Sequence, residues 1–317
     1  MTDTSLIAVG GENLIDYVSR DGVATGHPGG SPFNVAMALG RQGADVAYIS
    51  PISTDEWGEM LSGTLIASGV ALTASRRAEP TTMARVTITD GIPAYSFERD
   101  GTAERMVSEA GLRDALPAQA AAVHTGSLTL TGGADAEVWE AFLAGCYHSG
   151  RVVSLDPNVR LSVVRDVEGY RARLLRMCER AHILKLSDED LEALLPDRPR
   201  DAAIADLCAL TSARLVVLTL GSAGVRAWHG DTEVALAAVP VTALADTVGA
   251  GDTFTATLLT GLAAEGLLSP QGLERLDRTR LTALLLRAAT AAALNCAREG
   301  CDPPTRAEID LALNRKA

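Results

Sequence analysis

Short apolar runs and longer runs of helical spacing take turns along most of this chain. Residues 5–10 (SLIAVG) form a short β-type run closed by glycine. Residues 32–43 (PFNVAMALGRQG) carry apolar positions at helical spacing and stop at a glycine. Residues 45–50 and 55–69 repeat the pair as strand and helix. Residues 121–126, 151–156, 182–186 and 214–221 are further strand candidates, with helical patterns between most of them. This alternation predicts an α/β fold in which a mostly parallel sheet is flanked by helices on both faces.

Two stretches break the rhythm. Residues 14–24 and 82–101 alternate polar and apolar positions, and each holds an Asp-Gly pair, Asp21-Gly22 and Asp90-Gly91. Asp-Gly between alternating runs is a strong hairpin signal. Hairpins inserted in an α/β chain predict a small separate sheet, free to cover a site or a second subunit. Plain surface decoration is the alternative.

Composition narrows the function classes. The 317 residues include 47% hydrophobic and 21% charged residues, ordinary for a globular chain. The net charge of −12 disfavours a nucleic-acid binder held by a general basic field, and equally an anionic membrane surface. The N-terminal stretch shows no signal-peptide pattern, and no uncharged apolar run reaches ~18 residues. Cys146, Cys178, Cys208, Cys296 and Cys301 are odd in number and form no Cys-x-x-Cys pair, which fits a reduced, cytoplasmic chain. The histidines are scattered, so no zinc site is indicated.

The sharpest chemical feature is Asp246-Thr247-Val248-Gly249-Ala250-Gly251-Asp252, leading into an apolar helical run. Glycines at a helix entry allow close backbone approach, and first-turn amides without intrahelical partners bind anions. A carboxylate at 252 would repel a phosphate that is merely bound. It suits a hydroxyl that must lose a proton while attacking phosphorus. Helix capping by Asp252 is the alternative. Gly29-Gly30-Ser31-Pro32-Phe33-Asn34 is either a turn into a helix or a backbone site for a small polar ligand, with Asn34 offering both donor and acceptor. Asp16 could accept two hydroxyl hydrogen bonds or simply face solvent. Residues 156–160 (DPNVR), 187–190 (SDED) and 219–224 (TLGSAG) follow strands, where open parallel sheets bind ligands. Each could equally be a cap or a turn. Only Lys185 and Lys316 are lysines, and neither follows P-loop spacing. No Gly-x-Gly-x-x-Gly follows the first strand, and Gly221-Ser222-Ala223-Gly224 is not a hydrolase elbow.

Taken in order, these residues resemble the ribokinase-like carbohydrate kinases, the pfkB family. Residues 246–252 resemble its C-terminal signature and Gly29-Gly30-x-x-x-Asn34-x-Ala36 its N-terminal one. Residues 11–16 (GENLID) and 29–34 (GGSPFN) most resemble the bacterial fructokinase branch. The resemblance implies one ribokinase-like domain over 1–317, with lid segments at about 12–26 and 82–101, and γ-phosphoryl transfer from ATP to a sugar hydroxyl with Mg²⁺. It implies Asp252 as catalytic base and Gly249, Ala250 and Gly251 as anion hole. Asp16, Gly29, Gly30, Asn34, Phe97 and Arg99 would hold the sugar, and Arg160 would lie between sugar and phosphates. Asn158, Ser187, Thr219, Gly221, Gly224 and Asn295 would serve the nucleotide. Asp190 would reach Mg²⁺ through water, although this chain has Ser187 and Asp190 where the family often has Asn and Glu. Asp246 would border a K⁺ site found in some members. Fructose is the first-choice sugar, with 2-keto-3-deoxygluconate or ribose as alternatives. A non-catalytic sugar- or nucleotide-sensing module is the alternative from another class. A lid bearing Val86, Ile88, Tyr95 and Phe97 would also suit a homodimer, with neither nucleic acid nor membrane as partner.

Overall fold

The computed structural model describes residues 5–20, 23–89 and 92–315, with side chains described outside 18–24 and 86–95. The Asp21-Gly22 and Asp90-Gly91 turns lie outside the described residues, as do the side chains of Val86, Ile88 and Tyr95.

Thirteen strands are described: β1 (Leu6–Val9), β2 (Leu14–Arg20), β3 (Val23–Gly29), β4 (Val46–Tyr48), β5 (Ala71–Leu72), β6 (Thr82–Thr89), β7 (Ile92–Glu98), β8 (Ala120–Gly126), β9 (Val152–Asp156), β10 (Ile183–Ser187), β11 (Leu215–Thr219), β12 (Val225–His229) and β13 (Thr232–Leu236). Nine of them form one sheet in the order β13-β12-β11-β10-β9-β8-β1-β4-β5. From β5 to β11 every pairing is parallel, and β12 and β13 add an antiparallel edge.

Period-two alternation divides this sheet between two cores. Ile7, Val9 and Val217 pack with the helices Ser31–Arg41, Ala250–Ala264 and Arg278–Cys296. Ala8, Val216 and Leu218 turn the other way, toward Trp139, Phe142 and Leu174. Both faces are therefore covered, as strand–helix alternation predicts. Among the described residues no helix is long and apolar enough to cross a membrane.

The two alternating segments form a separate four-stranded sheet in the order β3-β2-β6-β7. Each hairpin is antiparallel, and a parallel β2–β6 pairing joins them. Leu14 and Ala84 on this sheet meet Leu128 of the main body, with Phe97 against them. That contact sets the small sheet over the carboxyl ends of β1, β8 and β9.

Candidate active site

A cavity of about 750 Å³ opens between the small sheet and those strand ends. Its wall combines Asp16 and Gly29 from the small sheet, Asn158 and Arg160 after β9, and Gly251 and Asp252 at a helix start. Crevices beyond the carboxyl ends of parallel strands are where such sheets bind ligands.

The helix Ala250–Ala264 begins at Gly249, whose φ of 73° is left-handed and whose side supplies no capping hydrogen bond. Glycine is required there twice over, because a Cβ would also lie 2.3 Å from Cys301 Sγ. The Ala250 amide donates to the Thr247 carbonyl at 3.2 Å, and Ala250 is absent from the cavity wall. Of the three residues expected to form the anion hole, Gly249 and Gly251 line the cavity, and Ala250 has its amide turned to Thr247. The Gly251 and Asp252 amides, early in the first turn, have no intrahelical acceptor.

Asp252 is not this helix's cap. Its Oδ1 accepts from Ser31 Oγ at 2.6 Å and its Oδ2 from Asn34 Nδ2 at 2.8 Å. Burial raises its pKa, while the hydrogen bonds from Ser31 and Asn34 and the charge of Lys185 pull the other way. Asn34 has its Oδ1 buried with no partner. Buried carbonyl oxygens are normally hydrogen-bonded, so this unpaired acceptor, on a residue that lines the cavity, is an exception that a bound donor would resolve.

Ser31 and Asn34 are delivered by the start of the helix Ser31–Arg41. Its cap residue Gly30 has φ 107° and no capping side chain. Glu12 takes over from a distance: its Oε1 accepts the Ser31 amide at 3.2 Å, and its Oε2 accepts from Thr129 Oγ1 at 2.7 Å. Any Cβ at Gly30 would lie 2.6 Å from the Glu12 carbonyl oxygen. Gly29 leaves room for Asp16, whose Oδ2 would be 2.3 Å from a Cβ there. Burial pushes the Asp16 carboxyl up to about 6, moderated by the charge of His27, its cross-strand partner.

Several expected residues stand elsewhere. Arg99 does not reach this cavity; it is buried, with Nε 3.0 Å from Glu104 Oε1 and Nη1 donating to the Leu128 carbonyl at 2.9 Å. Phe97, by contrast, lines it. Asn295 is fully buried and donates to the Val248 carbonyl at 2.7 Å, so it holds the glycine loop from behind. Asp246 ties the same loop, accepting from the Val248 and Gly300 amides at 3.0 Å each. Ser187 and Asp190 form a capping box, and Asp190 Oδ1 also accepts the Val159 amide at 2.6 Å. Gly224 has φ 103° and lies so close to β13 that a Cβ would be 2.0 Å from the Leu236 carbonyl oxygen. Thr219 and Gly221 bracket the same turn at the end of β11, outside this cavity.

Pattern reading passed over Glu12, Ser31, Ser127 and Lys185. Ser127 and Asn158 both line the cavity with positive φ, 61° and 41°. Non-glycine residues held there carry strain that collects at functional sites.

The chain is 38% identical over 278 residues to a fructokinase of Rhizobium leguminosarum bv. trifolii, covering 86% of this chain and 84% of that one. It is 29% identical over 323 residues to fructokinase-1 of Oryza sativa subsp. japonica, covering 97% of each. The crystal structure of a fructokinase with bound ATP from Xylella fastidiosa superposes with a TM-score of 0.88 at 25% identity, over 99% of both chains. The pattern that defines the pfkB family carbohydrate kinases matches residues 8–308. With nearly its whole length inside that pattern, the chain belongs to the pfkB family of carbohydrate kinases.

Proposed function

We propose that this sugar kinase is a fructokinase that takes its phosphoryl group from ATP, with Asp252 as general base. The observation that carries the reading is the placement of the Asp252 carboxylate: it is held by Ser31 and Asn34 on a cavity wall, beside the open amides of a helix start. The sugar lies between Asp16, Gly29, Gly30, Asn34 and Phe97, under the small sheet acting as a lid. Asp16 accepts hydrogen bonds from adjacent hydroxyls, and the open Asn34 Oδ1 accepts another. The attacking hydroxyl gives its proton to Asp252 as its oxygen bonds to the γ-phosphorus. The bond from that phosphorus to the bridging oxygen breaks, and ADP leaves. The Gly251 amide and Arg160 offset the charge on the transferring oxygens. Lid closure excludes water, which would otherwise take the phosphoryl group.

The nucleotide extends from the helix start toward Asn158, Ser187 and the Thr219–Gly224 turn. No group of three or more metal-ligating side chains is present among the described residues. This suits Mg²⁺, which binds few carboxylates, keeps its waters and arrives on substrate phosphates. Asp190, with both carboxylate oxygens engaged by backbone amides, would hold it only through water. When bound, the ion supplies charge neutralisation on the phosphates.

A sugar acid is disfavoured because Arg99, expected to clamp its carboxylate from the lid together with Arg160, is buried against Glu104 and is not on the wall of this cavity. A sensing module has no need of a held base. The deciding experiment is ADP release from ATP across a panel of fructose, ribose, 2-keto-3-deoxygluconate and nucleosides. Fructose should give the highest kcat/KM, and ADP release independent of every sugar would overturn the reading.

A further inference from the structure

Lys185 is one of two lysines in the chain, and the roles above leave it unused. It stands on β10, and its Nζ lies 2.8 Å from Oδ2 of Asp156 at the end of β9. The pair is almost wholly buried, with 8% and 2% of the two side chains exposed. Burial works against the ammonium charge, but Asp156, with Asp190 and Asp252 beyond it, outweighs this and raises the lysine's pKa. A buried ion pair is a weak source of stability, since desolvation takes back most of the attraction. Its location offers a better reason for its presence.

A Cβ placed on Gly251 would lie 2.9 Å from Lys185 Nζ. The ammonium therefore sits against the first turn of the helix Ala250–Ala264, where the unpartnered amides are. Lys185 also belongs to the cavity wall, beside Gly249, Gly251 and Asp252. An ammonium has three donors, and Asp156 takes one. The same wall carries the carboxyl groups of Glu12, Asp16, Asp246 and Asp252, a repulsive surface for a polyphosphate. Arg160, the other strong cation there, is exposed at the rim.

We propose that Lys185 is a catalytic residue whose spare ammonium donors bind the transferring phosphoryl group from beneath, opposite Arg160, while Asp156 aims it. This rests on the assignment of the cavity as the phosphoryl-transfer site. The rival role is neutralisation of Asp156 alone. The double variant Lys185→Gln/Asp156→Asn separates the two, because it removes both charges and leaves a side-chain amide pair able to hydrogen-bond.

If Lys185 acts on phosphate, the double variant should fold, bind adenosine as the wild type does, bind ATP about tenfold more weakly and lose about a hundredfold in kcat. Turnover within about threefold of wild type would overturn the proposal. A second arm needs no variant. In wild-type protein labelled with ¹⁵N-lysine, the Lys185 ammonium resonance is one of only two to assign. It should shift with a non-hydrolysable ATP analogue plus Mg²⁺ and fructose, and stay put with adenosine. An unmoved resonance, or equal shifts with both, would overturn the proposal even if the double variant fails to fold. Failure of the underlying site assignment looks different: the wild type would release no sugar-dependent ADP, or Asp252→Asn would retain full activity, and the Lys185 role would fall with it.

Discussion

Ser31 and Asp252, 221 positions apart, share a 2.6 Å hydrogen bond in which the serine hydroxyl donates to the carboxylate. Asn34, one helical turn after Ser31, donates to the other oxygen at 2.8 Å. The N-terminal and C-terminal glycine motifs thus meet at one carboxylate. Each donor favours the ionised form, which is the form able to take a proton.

Removing the serine hydroxyl should show in the pH profile. Burial raises the Asp252 pKa and the Ser31 hydrogen bond opposes that rise. Ser31→Ala should therefore move the acid limb of kcat/KM to higher pH, with a milder effect on the plateau. Ser31→Thr should restore the limb. A profile unchanged in Ser31→Ala would detach the hydroxyl from the base's ionisation.

Asp252→Asn removes the base and keeps the shape. Loss of a positioned general base costs about 10²–10⁴-fold in kcat. Fructose and ATP should still bind, by calorimetry, near wild-type affinity. Stability should move the other way. A carboxyl group whose folded pKa is raised disfavours the folded state above its unfolded pKa, and the penalty disappears as pH falls through the folded value. At pH 8 the variant should accordingly melt at or above the wild-type temperature. Near-normal kcat would remove Asp252 from its proposed role.

Asp16 gives sugar binding its own pH dependence. Its carboxyl is pushed up to about 6 by burial, and must be ionised to accept two hydroxyl hydrogen bonds. The KM for fructose should rise as pH falls through about 6, while the KM for ATP follows a separate course. His27→Gln removes the charge that favours the carboxylate, so the sugar midpoint should move higher still. Fructose KM flat between pH 5 and pH 8 would place Asp16 outside the sugar contacts.

Sequence pattern carried β1, β4, β8, β9, β10 and β11 because each lies in a short, mostly apolar run bounded by helical spacing, whereas the two-residue β5 is too short to leave a pattern. The β12–β13 hairpin escaped it. Its turn is built on Gly230-Asp231, with Gly230 at φ 53°, and lacks the Asp-Gly order that marked the other two hairpins. Within the site, Asn34 and Asp252 could be picked out because glycines beside them mark backbone approach. Glu12, Ser31 and Lys185 could not, since each works through a partner brought from elsewhere in the chain: Thr129, Asp252 and Asp156. Arg99 shows the opposite difficulty. An arginine at the end of a lid strand fits reaching inward or turning back, and only the packed structure reveals Glu104 five residues later as its partner.

That partnership yields the last prediction. Arg99 and Glu104 are both buried at the foot of the small sheet, and Glu104 Oε1 also accepts from Thr82 Oγ1 at 3.1 Å. Arg99 Nη1 reaches the Leu128 carbonyl, so the guanidinium ties the small sheet to the main body. Arg99→Met would leave a carboxylate buried without its cation, a change that costs about 3–5 kcal/mol. Burial already raises the Glu104 pKa, with Arg99 opposing it. Without Arg99 the group rises further and takes up a proton more readily as pH falls. The loss of stability, measured by denaturant unfolding, should thus be larger at pH 8 than at pH 5. Arg99→Met/Glu104→Gln should recover much of it, because no buried charge is then unpaired. The fructose KM of the folded single variant should stay within about threefold of wild type. A large rise in KM with unchanged stability would return Arg99 to the sugar, and with it the sugar-acid reading of the cavity.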